Sequence, residues 1–412
     1  MTFAISSQVV LSQAPEGPLA GYMGLFADSL GAIGYAADSI HRQVRIGACF
    51  SRWLGQGAVT PDGITSGHAT RYLRYRARRR RRYSGDEAAL THLIDFLRGK
   101  GVVPAERVAA HEPTPIDRCA CAYEVYLREG RALATATIVN YVPFVRDFLR
   151  HCFGTKPVKL SCLSAGDVLR FVRHQAPRLH GKRTKLMTTA LRSFLRYARY
   201  CGELDVDLAG AVPVVPNWSM TTIPRAIAPD QVRQLLASID RRSRTGRRDY
   251  AIVLLLARLG LRAGEVASLT LDDVDWEAGQ LTVHGKTGRR NELPLSAEVG
   301  EAITAYLQDG RPHSASRFVF LRAKAPVRGF RGASGVSSIV RHSLQRSGLD
   351  TPSMGAHQFR HGLATELLRQ GASLGEIGDV LGHRHPQTTM IYAKVDIEAL
   401  RRLALPWPGG TR

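Results

Sequence analysis

Acidic residues are scarce in this 412-residue chain: 35 Asp and Glu stand against 57 Lys and Arg, a formal net charge of +22. That imbalance favours a polyanionic partner, nucleic acid first, with a merely solvated basic surface as the alternative. Cysteine is sparse too. The six present (Cys49, Cys119, Cys121, Cys152, Cys162, Cys201) have no CxxC or Cys/His finger spacing, and the "CAC" at 119–121 is too tight for a usual zinc pair. They read as small core residues in a reducing compartment. No stretch approaches the ~20 apolar residues of a membrane span. The opening "MTFAISSQVVLSQAPEGPLAG" lacks a basic n-region and a long apolar run, so no signal peptide is expected. The expectation is a soluble intracellular protein. The absence of a GxxxxGK(S/T) loop argues against an ATP-driven mechanism.

At this length one ordinary core does not suffice, and two or three domains are expected. The 44% hydrophobic and 22% charged residues are those of a globular chain. Helical apolar spacing dominates the first half, as in "YVPFVRDFLRHCF" (141–153) and "LMTTALRSFLRYARY" (186–200), where strand-like runs are few. The proline-bearing stretch "GAVPVVPNWSMTTIPRAIAPDQ" (210–231) interrupts this pattern and reads as a linker. "APDQVRQLL" then restarts a helix, with Pro229 in its first turn and Asp230 near the positive end of the dipole.

The first half also hints at a duplication. "ITSGHATRYLR" (64–74) aligns with "LSAGDVLRFVR" (163–173) at an offset of 99, and "FLR" 96–98 with "FLR" 194–196 at an offset of 98. At the latter offset Ile40 meets Ile138 and Phe50 meets Phe148. Two related helical modules, or the ordinary resemblance of amphipathic helices, both account for this. Within the first copy lies "RARRRRRY" (76–83), either a solvated loop or a tract that follows a phosphate backbone.

The second half is mixed. "DYAIVLLLARLGLRAGEVASLTLDDVDW" (249–276) predicts a buried helix, a Gly-Leu-Arg corner and a second helix. "QLTVHGKTGRRNELPL" (280–295) predicts a β-hairpin with Lys286 at its bend. "HQFRHGLATELLRQG" (357–371) predicts a helix ending at Gly371, and "SLGE" (373–376) a capping box for the next, which stops at Gly382. Pro386 is expected to open a further helix carrying Tyr392.

Metal-free cleavage of a phosphodiester requires cations on the non-bridging oxygens, a nucleophile, a base for the nucleophile's proton and an acid for the leaving oxygen. Arg262, Lys286, His357, Arg360, His383 and Tyr392 supply such parts in order. Each alone has a plain reading: a helix-terminal cation, a turn lysine, a core aromatic. Their joint spacing does not.

These residues resemble the tyrosine recombinase (phage integrase) family. Its signature is an Arg in a G-L-R-x-x-E corner, a hairpin Lys, H-x-x-R, then L-G-H followed nine residues later by the nucleophilic Tyr. The resemblance spans about residues 225–400. It implies a mainly α chain with a small β-hairpin or sheet in a mixed α+β catalytic domain (225–412), preceded by a linker (213–224) and a helical, SAM-like core-binding domain (111–212). Residues 1–110 match no standard part and are read as a helical region, a candidate second copy of the core-binding module.

By the same resemblance Arg262 and Arg360 would clamp the scissile phosphate, Lys286 would be the general acid, and His357 the general base or proton shuttle. His383 would be a further donor to the phosphate. Tyr392 would form a 3′-phosphotyrosyl link, its phenolate favoured by the surrounding cations. No cofactor or metal is implied. The implied partner is double-stranded DNA, bound by a homotetramer or a mixed tetramer with related recombinases, in the cytoplasm on the nucleoid. Of neighbouring candidates, His383 is preferred to His385, His361 is set aside because helical phase directs it away from Arg360, and Glu265 is read as structural support.

Three rivals remain at this stage. Asp272, Asp273 and Asp275 would suit a metal-dependent transposase or nuclease, although such acids more often cap a helix end. A type IB topoisomerase shares the chemistry, and a non-enzymatic DNA-binding regulator would need only charge and helices. After Tyr392, apolar residues at helical spacing (Val395, Ile397, Leu400, Leu403) suggest a C-terminal helix that docks on a neighbouring protomer.

Overall fold

The computed structural model describes residues 3–6, 9–79, 83, 85–105, 113–215, 224–285, 290–383, 385–395 and 401. By contacts the chain divides into two units, residues 107–221 on the one hand and 1–106 with 222–412 on the other. Among the described residues no helix is long and apolar enough to cross a membrane.

The first 106 residues build four helices, α1 (Met23–Ala32), α2 (Ala37–Gln56), α3 (Ser66–Ala77) and α4 (Asp86–Gly99), preceded by a short antiparallel pair, β1 (Phe3–Ser6) and β2 (Val9–Leu11). Helix α2 buries Ile40, Val44, Gly47, Phe50 and Leu54, a three- and four-residue spacing that turns one stripe into the module's core. The strand pair was not expected from the sequence: its strands are four and three residues long, too short for a periodic signal. Within the same unit, the Val327 N–H donates to Ile33 O at 2.9 Å.

Residues 113–215 form α5 (Pro115–Val125), α6 (Thr135–Phe153), α7 (Ala165–Gln175) and α8 (Gly181–Tyr200) around Tyr123, Phe148, Phe171 and Phe194. Pro143 lies inside α6. The starts of α2 and α6 differ by 98 residues and those of α3 and α7 by 99. Ile40 and Ile138, Phe50 and Phe148, and Leu97 and Leu195 are all buried. Thr65 and Ser164, again 99 apart, each close a capping box on the following helix.

The remaining chain forms α9 (Pro229–Ser238), α10 (Arg244–Arg258), α11 (Ala263–Ser268), α12 (Ala297–Asp309), α13 (Ala333–Ser347), α14 (His357–Arg369), α15 (Leu374–Val380) and α16 (Pro386–Thr389). A three-stranded antiparallel sheet joins β3 (Val274–Asp275), β4 (Gln280–His284) and β5 (Arg290–Pro294) in the order β3-β4-β5. The β4–β5 register pairs Thr282 with Glu292 and His284 with Arg290; residues 286–289, between the strands, lie outside the described residues. Helix α10 is buried on every side from Ala251 to Leu256, which is why this stretch reads as a continuous apolar run rather than a stripe. It packs against α12, α13 and α14. Of the proline-rich segment, residues 216–223 lie outside the described residues; beyond them Ile227 is buried and donates its N–H to Gln358 O at 3.3 Å.

Two sequence expectations need correction. None of the six cysteines is fully buried: Cys121, Cys162 and Cys201 are exposed, the last two at a short turn and just past the end of α8, while Cys49, Cys119 and Cys152 are half-buried and pack against the cores. The helix opened by Pro386 ends at Thr389, and Tyr392 rides on the 3-10 turns Met390–Val395 that follow. The C-terminal docking helix lies outside the described residues apart from Val395, which packs against this chain's own core of Ala364, Ile377, Leu381 and Tyr392.

Candidate active site

Three chain reversals and one helix bring the site together. The first reversal follows α10, where Gly260 adopts φ +59°. The next two residues lead to Arg262, the N-cap of α11. Glu265 supports the site twice over: one carboxylate oxygen accepts the Arg262 backbone N–H at 2.7 Å, and the other accepts from Arg262 Nη1, also at 2.7 Å. The helix end and the arginine's direction are thereby set by one side chain, while the Arg262 side chain as a whole stays 41% exposed.

A side chain at position 260 would meet Leu363 and Leu381 at 2.9 Å, and the left-handed backbone adds its own penalty. Gly260→Ala is therefore expected to destabilise the protein by about 1–3 kcal/mol, read as a lower urea midpoint.

Helix α14 is the spine of the site. His357 is exposed on its first turn, Arg360 is 3% exposed, and His361 is half-buried. Arg360 Nη1 donates to Gly260 O at 2.8 Å and Nη2 to Leu381 O, so its fork ties α14 to the first and third reversals. Burial, reinforced by the nearby Arg262 charge, lowers the Arg360 pKa to about 10, which leaves it a cation at neutral pH.

The second reversal is the β4–β5 hairpin. Its bend carries Lys286, which lies outside the described residues. The third is the Gly382 corner after α15, with φ +60° and the Asn291 side chain of β5 packed so closely that a Cβ would sit 2.3 Å from its amide nitrogen. Only glycine fits there, and the contact sets the base of the hairpin beside the next residue, His383. That residue donates its backbone N–H to Gly378 O at 2.8 Å, and its Nδ1 lies 2.7 Å from Thr389 Oγ1.

Tyr392 is 2% exposed. Its ring lies nearly parallel to that of His383, with centroids 6.4 Å apart and planes 5° from parallel. Its hydroxyl, however, is 3.0 Å from Nδ1 of His361, a residue the sequence reading set aside. Adjacent residues on a helix differ by about 100°, and that reasoning does direct His361 away from Arg360. It fails because the site is not a single stripe: Arg360 faces the Gly260 and Leu381 carbonyls while Tyr392 stands over the neighbouring sector. The available signal was the i,i+4 spacing of His357 and His361, whose rings meet edge to face with centroids 4.8 Å apart.

The electrostatics also correct the sequence expectation for the tyrosine. Arg360 and Arg262 do pull its pKa down, but burial outweighs them and the net shift is upward. The resting side chain is a phenol, and ionisation requires a proton acceptor. The two inner histidines are held neutral. Burial first, then His357 and Arg360, lower the His361 pKa to about 4; burial, then Arg360 and Arg262, lower that of His383 to about 4. A group with this sign of shift favours the native state above its ordinary value near 6.5 and withdraws that support as pH falls toward 4.

The acids of "LDDVDW" are locally committed. Asp273 accepts from the Thr270 N–H and lies 2.7 Å from His284 Nε2, Asp272 pairs with Arg317, and Asp275 accepts from the N–H groups of Glu277 and Ala278. Arg262, His357, Arg360, His361, His383 and Tyr392 thus share one cluster, at the edge of which the Lys286 hairpin begins.

The phage integrase family matches residues 225–398. The provisionally named integrase/recombinase y4rA of Sinorhizobium fredii is 55% identical over 99% of this chain and 99% of its own length. Tyrosine recombinase XerA of Thermococcus kodakarensis is 30% identical over 68% of this chain and 92% of its own. A lambda integrase tetramer, solved on a Holliday junction, superposes with a TM-score of 0.53 at 16% identity, covering 76% of this chain and 87% of that one, which shows a shared fold. With an identity above one half sustained over nearly the whole length of y4rA, the chain belongs to the phage integrase family, the tyrosine recombinases.

Proposed function

We propose that this recombinase cuts and rejoins double-stranded DNA through Tyr392, which attacks the scissile phosphate to leave a 3′-phosphotyrosyl link and a free 5′-hydroxyl. The observation that carries this reading is a buried tyrosine surrounded by two arginines and three histidines. Arg262, exposed and aimed by Glu265, and Arg360, fixed at the back, hold the non-bridging oxygens. Lys286 protonates the departing 5′-oxygen. His357 serves as base or shuttle, and His383, oriented by Thr389, donates to the phosphate. The 5′-hydroxyl of a second duplex reverses the step, so energy is conserved in the phosphotyrosyl bond and no cofactor or metal takes part. Exchange between two duplexes engages four protomers, as in the lambda integrase tetramer, either four copies or a mixture with related recombinases. The setting is the cytoplasm, on the nucleoid, and the task is movement of a mobile element.

Residues 111–212 serve as the core-binding domain, and residues 1–110 as a second module of the same plan, a reading supported by the matched helix offsets, caps and buried positions. The first module's α3 and the turn that follows it expose Arg71, Arg74, Arg78 and Arg79. Beside it Arg52, Trp53, Tyr72, Tyr75, Arg76 and Arg79 line a cleft of about 330 Å³. Arg79 lies over the Tyr75 ring at 4.4 Å. Such a surface suits a phosphate backbone. Replacing Arg71 and Arg74 together by Glu is expected to weaken duplex binding at least several-fold and to flatten the log–log salt dependence by about 2, in a fluorescence titration of the full chain, with adduct formation retained at saturating protein.

The direct test of the reading is covalent trapping. Wild-type protein is mixed with nicked duplexes from the DNA flanking its gene, in EDTA, and run on a denaturing gel. A protein–DNA adduct is the expected result. A shifted band in a native gel without any adduct would favour the DNA-binding regulator, and relaxation without joining of two duplexes would favour the topoisomerase.

A further inference from the structure

We propose that His361 is the group that takes the phenolic proton of Tyr392 during cleavage. The inference rests on the recombinase reading above and names, within that site, a catalytic residue outside the H-x-x-R pair.

Three observations carry it. The first is contact: Nδ1 of His361 is 3.0 Å from the tyrosine hydroxyl, within direct transfer distance. The second is protonation state. A buried tyrosine whose pKa is raised holds its proton, and an imidazole whose pKa is lowered is neutral; in the tautomer with its hydrogen on Nε2, the His361 ring turns the Nδ1 lone pair to that hydroxyl and accepts from it. The third is how the neighbouring rings are disposed. His383 directs its Nδ1 to Thr389 Oγ1, and His357, exposed, meets the His361 ring edge to face. His357 is thus placed to relay the proton onward from His361. Thr365, one turn along α14, donates its hydroxyl to His361 O and helps to fix the backbone from which the ring projects.

The step balances without an added reagent. The O–H bond of Tyr392 breaks as its oxygen bonds to phosphorus, and the proton passes to His361 Nδ1. The bond from phosphorus to the 5′-oxygen breaks, and that oxygen receives a proton from the general acid proposed at Lys286. Rejoining runs the sequence backward: the 5′-hydroxyl attacks the phosphotyrosyl phosphorus and gives its proton back to the neutral amine proposed at Lys286, and the proton on His361 returns to the departing phenol oxygen. The imidazolium formed in between is stabilised by the phosphate's charge, which is absent from the resting site and is needed to lift His361 above its depressed value.

The experiment separates acid from base. Trapping rates are measured on nicked duplexes carrying either an ordinary scissile phosphate or a 5′-bridging sulfur, whose thiolate leaves without protonation. His361→Ala and His361→Asn are compared with wild type, with thermal melting as the folding control. Asn keeps an acceptor near the Nδ1 position but is no base. Both variants are expected to form adduct roughly 10²–10⁴-fold more slowly on both substrates, and added imidazole is expected to restore part of the rate of His361→Ala. By contrast, Lys286→Ala, in the general-acid role proposed for it above, should be deficient on the ordinary phosphate and restored on the sulfur substrate. A His361→Asn protein that cleaves at the wild-type rate would reduce His361 to a positioning residue and overturn the inference, as would a His361→Ala defect that disappears on the sulfur substrate. Failure of the wild type to form any adduct would instead count against the recombinase reading, so the two failures are told apart.

Discussion

Tyr392→Phe is expected to bind duplex DNA as the wild type does and to form no covalent adduct with it. The ring packs among Ala364, Ile377 and Leu381, and phenylalanine preserves that packing. What is lost is one hydroxyl and its contact with His361, a cost to stability of about 1 kcal/mol. The chemical cost is of another order: removing a nucleophile from a site that acts as a unit lowers turnover on the order of 10⁴-fold or more. On a nicked duplex in EDTA the adduct band should therefore be present for the wild type and absent for the variant. Cleavage that survives the substitution and is abolished by EDTA would reverse the assignment and return the acids of "LDDVDW" to consideration.

Arg360→Ala is expected to be the most damaging single change, because it removes catalysis and structure together. The guanidinium is buried and satisfies the carbonyls of Gly260 and Leu381, which belong to two of the chain reversals that assemble the site. Leaving both carbonyls without partners costs roughly 1–3 kcal/mol each, so a loss of about 3 kcal/mol in a urea titration is anticipated. Adduct formation should fall beyond detection even at temperatures where the variant is folded. Arg360→Lys should recover part of the stability and little of the cleavage, since a single ammonium does not span two carbonyls and a phosphate oxygen as a planar fork does. A lysine variant with near-wild-type cleavage would show that only the charge at this position matters.

Much of the architecture was legible because it is local. The 3.6-residue apolar spacing marked α6 and α8, the continuous apolar run marked the buried α10, and the "SLGE" box formed as expected, with the Glu376 N–H donating to Ser373 Oγ and Glu376 accepting from the Ser373 N–H. Glycines at the ends of periodic segments identified the corners at Gly260 and Gly382. The short strands β1 and β2 escaped because seven residues in all hold no usable period.

By itself, then, the sequence determined the order and spacing of the six signature residues, the corners that present them and the family to which the chain belongs. The corners depend on neighbours within about ten positions, and the family is read from short motifs of that size taken in their order along the chain. Tertiary structure alone decided which histidine meets the tyrosine and whether that tyrosine rests as phenol or phenolate. His361 and Tyr392 are 31 residues apart on separate elements, and no periodicity relates their directions. The tyrosine's protonation state follows from a competition between two opposing terms, the charges of Arg262 and Arg360 and the exclusion of water around the ring. The first can be counted from the residues present; the second exists only once the chain has folded around the side chain, and here it is the larger.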